Sequence, residues 1–393
     1  MMQLRAMPCP VAEVVPIPLL PAASPRVRVR GARELDPGLL AEWQALADRA
    51  SESNCFQEPW FVQAGLRHLA TDGDIRLLEI RDGELIGLIP LCVRSSLGRI
   101  PARNVQNWRH HNDFLGTPLV RAGREADFWG ALLTHLDGAA WARGFLHLNG
   151  LVEDGPVHAG LAAAAAALGR PAAVVQRQRR AALASDLSPA DYFERTVRKK
   201  KRKELKRLAA RLGELGSVTS RVLQPGEDWR PWCDAFLALE RSGWKGRNGS
   251  ALACAPESEA FFRDALAGAA AAGRLQLRSL DLDGRPLAML VNFLVPPGSF
   301  SFKIAFDEEY ARFSPGVLIQ IDNLDLLARG DVAWMDSCAA ENHPMIDSLW
   351  GERRTIVRVS VPLAGLRRRM TYHACRVIEA GWAGGKRLLR RGS

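Results

Sequence analysis

The feature that most constrains the fold is an internal likeness between the two halves of the chain. The segment EIRDGELIGLIPL in the first half has the same pattern as SLDLDGRPLAMLV in the second, about 201 positions later. In both, Asp-Gly joins two apolar strands, which is a strong hairpin signal. In the strand that follows, Arg109 falls opposite Lys303 and Asp113 opposite Asp307, at an offset of 194 positions. Self-similarity at a nearly constant offset indicates a duplicated domain; a chance match of two hairpins is the open alternative.

The hydrophobic periodicity predicts the same order of elements in both halves. The second half is predicted as β-α-α-β-β-β-α-β-α-β, and the first half follows nearly the same order. The central helix of the second half is predicted to begin with Ser314 as N-cap and Pro315 in the first turn, and to stop at Gly330. The sequence therefore predicts a mixed α/β (α+β) fold with two similar domains in tandem, each around a mixed central sheet.

These patterns divide the chain into five segments. Between the two domains, Ser188 and Asp191 form a helix-start signal ahead of leucines at helical spacing, which predicts one basic linker helix. The predicted segments are an N-terminal tail (1–25), an N-terminal domain (26–184), the basic linker helix (185–216), a C-terminal catalytic domain (217–363) and a basic tail (364–393).

Composition excludes several classes of protein. With 47% hydrophobic and 24% charged residues over 393 positions, the chain is globular rather than disordered or fibrous. No apolar run reaches the roughly 18 residues of a spanning helix, and prolines break the apolar N-terminus, which disfavours a signal peptide. The seven cysteines show no CxxC spacing, which is typical of a reducing compartment. A cytoplasmic location is predicted.

The net charge of +10 is concentrated in two places. Residues 195–211 hold ten basic side chains and one acidic one, and residues 366–393 hold eight and one. The rest of the chain is slightly acidic, so the charge favours local contact with an anionic surface. The second segment resembles a basic interfacial helix, which predicts peripheral contact with the inner membrane face. A plain solvated tail stays open as the alternative, and nucleic acid is disfavoured.

The predicted order β-α-α-β-β-β-α-β resembles the GNAT acyltransferase fold. The segments LERSGWKGRNGSAL, FKIAFDEEYARFSPG and WMDSCAAENHPMIDSLWGERRTI resemble the CelD-type bacterial acyltransferase family, which is associated with cellulose and other exopolysaccharides. More distantly, the chain is similar to Fem-type aminoacyltransferases, which place two GNAT-like domains in tandem. The resemblance implies acyl transfer, N-acetyl or other N-acyl, from acyl-coenzyme A or another acyl thioester to an amine of a cell-envelope or polysaccharide acceptor.

The resemblance also implies a reaction centre. In Fem-type enzymes an aromatic-Lys pair serves the chemistry, and Phe302 with Lys303 matches that pair, while FQEPW at 56–60 is similar to an aromatic-Gln…Trp segment. A lysine among apolar residues on a central strand is costly unless it is paired or functional. We expect its charge to hold the carbonyl oxygen or a donor phosphate. Strand alternation that points Lys303 to solvent is the other interpretation.

Three further residues are predicted to be catalytic. Asp307 is expected to orient or deprotonate the amine and Tyr310 to return a proton, although DEEY is equally compatible with a polar turn. Asp336 ends a short strand, from which its carboxylate is expected to project into the site. The predicted substrate-binding residues are Phe302, Glu240, Trp244, Lys245, Arg247 and Asp113.

The start of the central helix is the predicted donor-phosphate site, formed by Arg312, Ser314 and Gly316. The glycine spacing of the GNAT pyrophosphate loop is absent, and Pro315 has no N–H, which disfavours ordinary coenzyme A binding. His110 to Asp113 have no metal-ligand spacing, so we expect them to line a cleft between the domains, and no metal is predicted.

Two other functions stay open from the sequence. A Fem-like transferase would take its acyl group from aminoacyl-tRNA and would depend on charged tRNA. A catalytically inactive scaffold of a polysaccharide-synthesis complex would turn over no thioester and would not need Lys303.

Overall fold

The structure is a computed structural model that describes residues 25–32, 34–71 and 74–391, with side chains described as far as residue 381. The predicted N-terminal tail lies outside the described residues except for its last position. The strands are β1 (Arg26–Gly31), β2 (Arg76–Asp82), β3 (Glu84–Arg94), β4 (Asn104–Asn107), β5 (Leu119–Val120), β6 (Phe145–Val152), β7 (Ala173–Leu183), β8 (Val218–Val222), β9 (Leu275–Leu282), β10 (Arg285–Val295), β11 (Gly298–Phe306), β12 (Trp334–Asp336) and β13 (Glu352–Pro362).

The helices pack on both faces of these strands. They are α1 (Pro37–Ala47), α2 (Pro59–His68), α3 (Glu125–Gly138), α4 (Pro156–Ala167), α5 (Pro189–Thr196), α6 (Lys199–Gly213), α7 (Arg230–Ser242), α8 (Trp244–Arg247), α9 (Pro256–Ala271), α10 (Pro315–Asp322) and α11 (Leu366–Arg391). Short 3-10 helices lie at Cys55–Gln57, Leu252–Cys254, Glu308–Phe313, Asn323–Ala328 and Ile346–Ser348. Of the described helices, none is both long and apolar enough to cross a membrane.

Within the described residues, all thirteen strands belong to one mixed sheet. Its order is β1-β2-β3-β4-β6-β13-β7-β12-β11-β10-β9-β8, with β5 paired to β3. The predicted mixed α/β architecture is confirmed, and the sheets of the two halves join into one. We use the terms N-terminal half for 26–184 and C-terminal half for 217–363.

The join is made by an exchange of the last strand of each half. β13 of the C-terminal half pairs antiparallel with β6, through Ile356 opposite Val152, and on its other edge with β7 of the N-terminal half. β7 in turn pairs with β12, where Ala182 lies opposite Asp336. Each half therefore supplies a strand to the other, and the centre of the sheet contains residues from both.

The repeated order of elements is visible in the structure. β3 and β10 have the same length and lie at the same place in the two halves, each following a hairpin turn at Asp-Gly. The parallel pairs β4-β6 and β11-β12 are also equivalent, and both are very short. Beyond these pairs β11 continues to Phe306 without its parallel neighbour, which opens the sheet at the predicted reaction centre.

Several local predictions were wrong. β7 was not predicted, because its residues 176–180 are all polar, so the segment lacks the alternation of polar and apolar residues that indicates a strand with one buried face. The predicted single linker helix is two helices, since the chain is extended at Val197 and Arg198. Ser314 precedes α10 as predicted, but its φ is 56° and its side chain makes no capping hydrogen bond. The central helix, predicted to stop at Gly330, ends as α10 at Asp322 and is followed by the 3-10 helix Asn323–Ala328.

One hydrophobic cluster crosses the junction and positions the site. Phe56 and Phe61 of the N-terminal half pack together with Phe261, Phe293 and Phe302 of the C-terminal half, all of them buried. Aromatic side chains bury large areas and prefer edge-on contacts, which fixes the angle between their elements. The region around Lys303 therefore rests on aromatic groups from both halves.

Candidate active site at the junction of the halves

A β-bulge directs Lys303 towards the junction. In the pairing of β10 with β11, Val291 lies opposite Lys303 and Asn292 opposite Ser301, so Phe302 is the extra residue of β11. A bulge interrupts alternation and changes the direction of the side chain that follows. Lys303 consequently shares a side of the sheet with buried Val291, which belongs to the aromatic cluster. Simple alternation would have placed Phe302 and Lys303 on opposite sides.

The amine of Lys303 lies against aromatic rings from both halves. Its Nζ is 5.4 Å from the centre of the Phe302 ring and 5.5 Å from the centre of the Phe114 ring. Phe56 supports both rings, with ring centres 5.7 Å from Phe114 and 6.1 Å from Phe302. Phe56 is the aromatic residue of the FQEPW segment, and it is buried. The faces of aromatic rings attract a cation and leave the N–H groups of the amine available.

This environment changes the protonation of Lys303. Burial lowers its pKa to about 8, and the nearby Lys245 lowers the pKa further, while Glu240 opposes the shift. No hydrogen bond or ion pair holds the Lys303 amine among residues in the described part of the chain. A partly buried amine without a fixed partner, with a pKa close to neutral, is the arrangement expected of a group that acts on a ligand.

The loop after β4 brings two histidines to the same place. His110 stacks on Phe61, and burial, with the charges of its neighbours including Lys303, lowers its pKa to about 3. The pKa of His111 is also lowered, by burial and by the charge of Lys303. Both imidazoles are therefore neutral at pH 7. Together we call Lys303, Phe114, Phe302, His110 and His111 the Lys303 site.

Asp113 lies beside this loop in a dense set of contacts. Its carboxylate accepts hydrogen bonds from Leu115 N–H (3.0 Å) and the Gln57 amide (3.3 Å), and it lies 3.3 Å from the Arg109 guanidinium. Burial raises the pKa of Asp113 to about 6, although Arg109 opposes the rise. With Arg109, His110 and His111, it lines a cavity of about 360 Å³ where β4 and β6 separate. All the residues that line this cavity belong to the N-terminal half, so the expected lining of a cleft between the domains stays a prediction.

Asp336 forms a buried ion cluster with two arginines that the sequence analysis missed. Arg180 of β7 donates to the Asp336 carboxylate at 2.6 Å, and Arg354 of β13 donates to the same oxygen at 3.2 Å. Burial alone would raise the pKa of Asp336, but the two guanidinium groups hold its pKa below the usual value. Arg180 also donates to the Phe114 carbonyl at 2.8 Å. The Asp336 carboxylate also accepts the Cys338 N–H at 2.9 Å, so both of its oxygens are bonded, and its partner Arg180 joins it to the loop that carries Phe114.

The predicted substrate-binding residues of α7 and α8 lie around the Lys303 site. The buried Glu240 carboxylate accepts hydrogen bonds from Lys245 (2.7 Å) and from Leu252 N–H (2.8 Å). Trp244 is about half exposed, and its N–H donates to Glu308, which also pairs with Arg247. The structure therefore gathers Glu240 and Lys245 near Lys303 and leaves Trp244 and Arg247 at the rim.

The described contacts of Asp307 and Tyr310 are with groups other than the Lys303 amine. The Asp307 carboxylate is paired with Arg285 at 2.6 Å and accepts Glu309 N–H at the start of the 3-10 helix Glu308–Phe313. The Tyr310 ring packs near Phe313, in the cluster that includes Leu212 of α6. Their described contacts are those of a polar turn, the alternative that the sequence left open.

The predicted phosphate loop offers few free donors. The Arg312 guanidinium lies over the ring of its neighbour Phe313. Pro315 has no N–H, and the N–H groups of Val317 and Leu318 both donate to the Ser314 carbonyl. Gly316 is buried against Phe306. Among the described residues no group of three acidic, histidine or cysteine side chains forms a candidate metal site.

Phe114, Arg180 and Arg354 are the members of this region that sequence reasoning missed. Phe114 directly follows the HHND segment, and Arg354 lies in the GERRTI part of a quoted motif, so both were adjacent to recognised residues. Arg180 lies in the unpredicted β7. In that strand Arg180 is followed directly by the apolar residues Ala181, Ala182 and Leu183. A charged residue beside an apolar run is the signal that would have indicated a buried ion pair.

Comparisons with known proteins agree with this architecture. Residues 199–345 match a family model described as "Acetyltransferase (GNAT) domain". The chain is similar to the crystal structure of FemX, with 13% identity, 82% of this chain and 95% of that chain covered, and a TM-score of 0.54. It is also similar to the C-terminal domain of a putative lysylphosphatidylglycerol synthetase from Agrobacterium fabrum, with 12% identity, 86% and 95% covered, and a TM-score of 0.51.

At these identities the structural likenesses concern the fold. No curated protein matches the sequence. The matched family model runs from the start of α6 to the residue before the 3-10 helix Ile346–Ser348, so it contains Lys303 and the aromatic pair of β11. The acetyltransferase domain and the fold support an acyltransferase enzyme.

The buried ion cluster generates a stability prediction. Asp336→Asn leaves two buried guanidinium groups without an anionic partner, so we expect the free energy of unfolding to fall by about 3–5 kcal/mol. Urea denaturation followed by circular dichroism measures this change.

Asp331→Asn is the matched control, because Asp331 pairs with Arg329 at 2.7 Å where both side chains are largely exposed. This change should cost about 0.5 kcal/mol or less. Equal losses for the two variants would mean that the Asp336 cluster does not stabilise the joined sheet.

Proposed function

We propose that this protein is an N-acyltransferase that moves an acyl group from a thioester to an amine on a cell-envelope or polysaccharide-related acceptor. The observation that carries the proposal is the position of Lys303. Its amine is partly buried at the junction of the halves, between Phe114 and Phe302, with a pKa lowered to about 8.

In this proposal Lys303 acts as the protonated donor to the acyl carbonyl. Attack of an amine on a thioester places negative charge on the carbonyl oxygen, and a preorganised cation stabilises that charge. At pH 7 an amine with a pKa of about 8 is mostly protonated. The aromatic rings hold this cation without neutralising it, whereas an aspartate or glutamate partner would. Collapse of the intermediate then expels the thiolate and leaves an amide.

The nearby carboxylates have positioning roles in this scheme. Glu240 holds Lys245 and the N–H of Leu252, and Asp113 holds Arg109 and the N–H of Leu115. Because both carboxylates already accept hydrogen bonds from the protein, we assign them to the walls of the site. His111 is exposed and its imidazole is neutral; its Nε2 lies 3.0 Å from the Asn112 amide, and we assign its other ring nitrogen, Nδ1, to accept a proton from the attacking amine.

Substitution of Lys303 tests the role of its charge. Lys303→Met should lower kcat by about 10²–10³-fold, because one preorganised contact to the oxyanion is lost. With the wild-type protein, kcat at saturating acceptor should fall as the pH rises above about 8, since Lys303 then loses its proton. The measurement uses acyl-coenzyme A and acyl-carrier-protein thioesters with amino-sugar acceptors.

Two variants serve as controls. Lys303→Arg keeps a cation at all accessible pH values, so its remaining activity should not fall above pH 8. Lys206→Ala removes a charge from the exposed side of α6 and should leave kcat unchanged. Turnover by Lys303→Met at the wild-type rate would refute the assignment. Absence of thioester turnover in the wild type would favour the inactive scaffold.

Aminoacyl-tRNA is the second candidate donor. The likeness to FemX concerns the fold, but eight of the ten basic residues of 195–211 are exposed and form a cationic surface suited to a polyanion. Transfer that requires charged tRNA and is abolished by ribonuclease would select this donor. Transfer that proceeds from a thioester without RNA would exclude it.

We further propose that α11 holds the protein at an anionic membrane surface. Its inner side packs on the body of the protein through buried Tyr372 and Cys375. On the opposite side Leu366, Met370 and Val377 are 76%, 63% and 72% exposed, and their spacing puts them in one line along the helix. A large exposed apolar stripe with flanking arginines is typical of an interfacial helix.

This surface generates a binding prediction. Leu366→Ser/Met370→Ser/Val377→Ser should weaken sedimentation with vesicles that contain anionic lipids, because the apolar side chains no longer enter the interface. Arg367→Ala/Arg369→Ala should also weaken it, at about 1 kcal/mol for each cation, and wild-type binding should fall with salt.

Lys203→Ala/Lys206→Ala removes the same charge from α6 and is the control. If this variant loses as much vesicle binding as the arginine variant, the basic linker rather than α11 contacts the membrane. Unchanged binding of the triple serine variant would refute an apolar contribution.

A further inference from the structure

A cavity opens at the corner where α5 meets α6, away from the Lys303 site. Its volume is about 740 Å³, which is large enough for more than a single phosphate ion. Its walls come from the linker helices, the 3-10 helix Ile346–Ser348 and the start of β13. The charged residues that line it are Arg198, Lys200, Lys201, Glu204, Asp347 and Arg353.

The lining has more positive than negative charge. Four of these side chains are cationic and two are acidic. Asp347 lies 3.7 Å from Arg353, and Lys201 donates to the Ser348 hydroxyl. Within the described part of the chain, Arg198 and Lys200 make no side-chain hydrogen bond or ion pair. Two cations at the mouth of the cavity are therefore available to an anion.

The start of α6 adds to this charge. The first turn of α6 contains Lys199, Lys200 and Lys201 and no acidic residue, whereas the first turn of α9 contains two glutamates. The N-terminus of a helix carries partial positive charge, so cations there are unfavourable unless an anion is bound. Places where a sequence departs from such a local preference, as these lysines do at the N-terminus of α6, are typically functional sites.

Trp350 supplies an independent sign of a ligand. It is fully buried and forms part of the cavity wall, and its Nε1–H finds no acceptor among the described residues. Buried indole N–H groups are normally paired, because an unpaired donor costs stability. The hydroxyl groups of Thr196 and Ser348 lie in the same wall, but they are bonded within the protein, to Tyr192 and to the Met345 carbonyl. The cavity wall thus combines cations with one neutral donor, the Trp350 indole, that has no acceptor among the described residues.

The cavity adjoins the loop that lacks phosphate donors. Pro344 lines it, and the sulfur of the next residue, Met345, is 3.7 Å from the position that a Cβ on Gly316 would take. The first turn of α10 offers few free N–H groups, because Pro315 has none and the N–H groups of Val317 and Leu318 donate to the Ser314 carbonyl. Cationic side chains are therefore present close to the place where backbone donors are missing.

We propose that this cavity binds the diphosphate group of a small-molecule ester. Lysine and arginine are the side chains that bind phosphates most strongly, through charge-assisted hydrogen bonds. The two cations without acidic counterparts match the charge of a diphosphate diester, and the volume admits both phosphates. The inference stands on the cavity alone and does not depend on which acyl donor the protein uses.

Titration calorimetry with inorganic pyrophosphate tests this site on the full-length protein. We expect wild-type binding that weakens as salt is raised. Arg198→Ala/Lys200→Ala should weaken the affinity by at least about tenfold, since two charge-assisted contacts are lost. Neither side chain has a described partner within the protein, so the variant should retain the fold, which circular dichroism checks.

Lys203→Ala/Lys206→Ala is the charge-matched control on the same helix. Its side chains are exposed and do not line the cavity, so the affinity should change by less than about twofold. If the two double variants lose the same affinity for pyrophosphate, general surface charge explains the binding and the proposed site is wrong. Absence of pyrophosphate binding by the wild-type protein would also overturn it.

A second pair of probes separates the two sources of a diphosphate. Adenosine diphosphate represents a soluble ester, and phosphatidylcholine vesicles that contain an isoprenyl diphosphate represent a lipid-linked one. Binding of either that is lost in Arg198→Ala/Lys200→Ala and kept in the control supports the site and names its source. If the two double variants bind each of these probes with the same affinity, the proposed site is contradicted.

Discussion

The structure depends on one buried carboxylate held between two arginines. Asp336 ends β12, and its partners Arg180 and Arg354 come from the two strands that the halves exchange. Replacing Asp336 by a neutral residue would leave two guanidinium charges buried without their anionic partner. The same group extends to the reaction centre, because Arg180 also holds the Phe114 carbonyl and Arg354 lies over the Trp334 ring, which packs edge-on against Phe300. The joined sheet and the site are thus stabilised by the same contacts.

Much of the fold followed from local sequence patterns. The two Asp-Gly hairpins, the strands that they join and the order of the elements were predicted, because apolar periodicity and turn residues are local signals. The exchange of β7 and β13 could not be predicted in this way. β7 is rich in glutamine and arginine, and its place in the sheet is set by pairing with residues about 180 positions later, such as Arg180 with Arg354.

The site was predictable only in part, for two physical reasons. The bulge at Phe302 depends on the register of β10 against β11, which no local pattern reveals, and it decides where Lys303 points. Burial depends on the partner half, so the carboxylates of Asp336 and Asp307 looked available in the sequence although both are paired with arginines in the structure. Lys303 was identified from a motif, whereas Phe114 required the three-dimensional contact.

The central claim is that both halves build the environment of the Lys303 amine, and its pKa reports this directly. Because the folded pKa lies below that of an unfolded lysine, about 10.4, the protein should gain stability as the pH rises from about 8 towards that value. The decisive measurement is an NMR titration of lysine labelled at Cε, with Lys303→Arg to assign the signal. We predict a pKa of about 8 that rises towards the ordinary value in Phe114→Ala. A pKa near 10.4 in the wild-type protein would contradict the account.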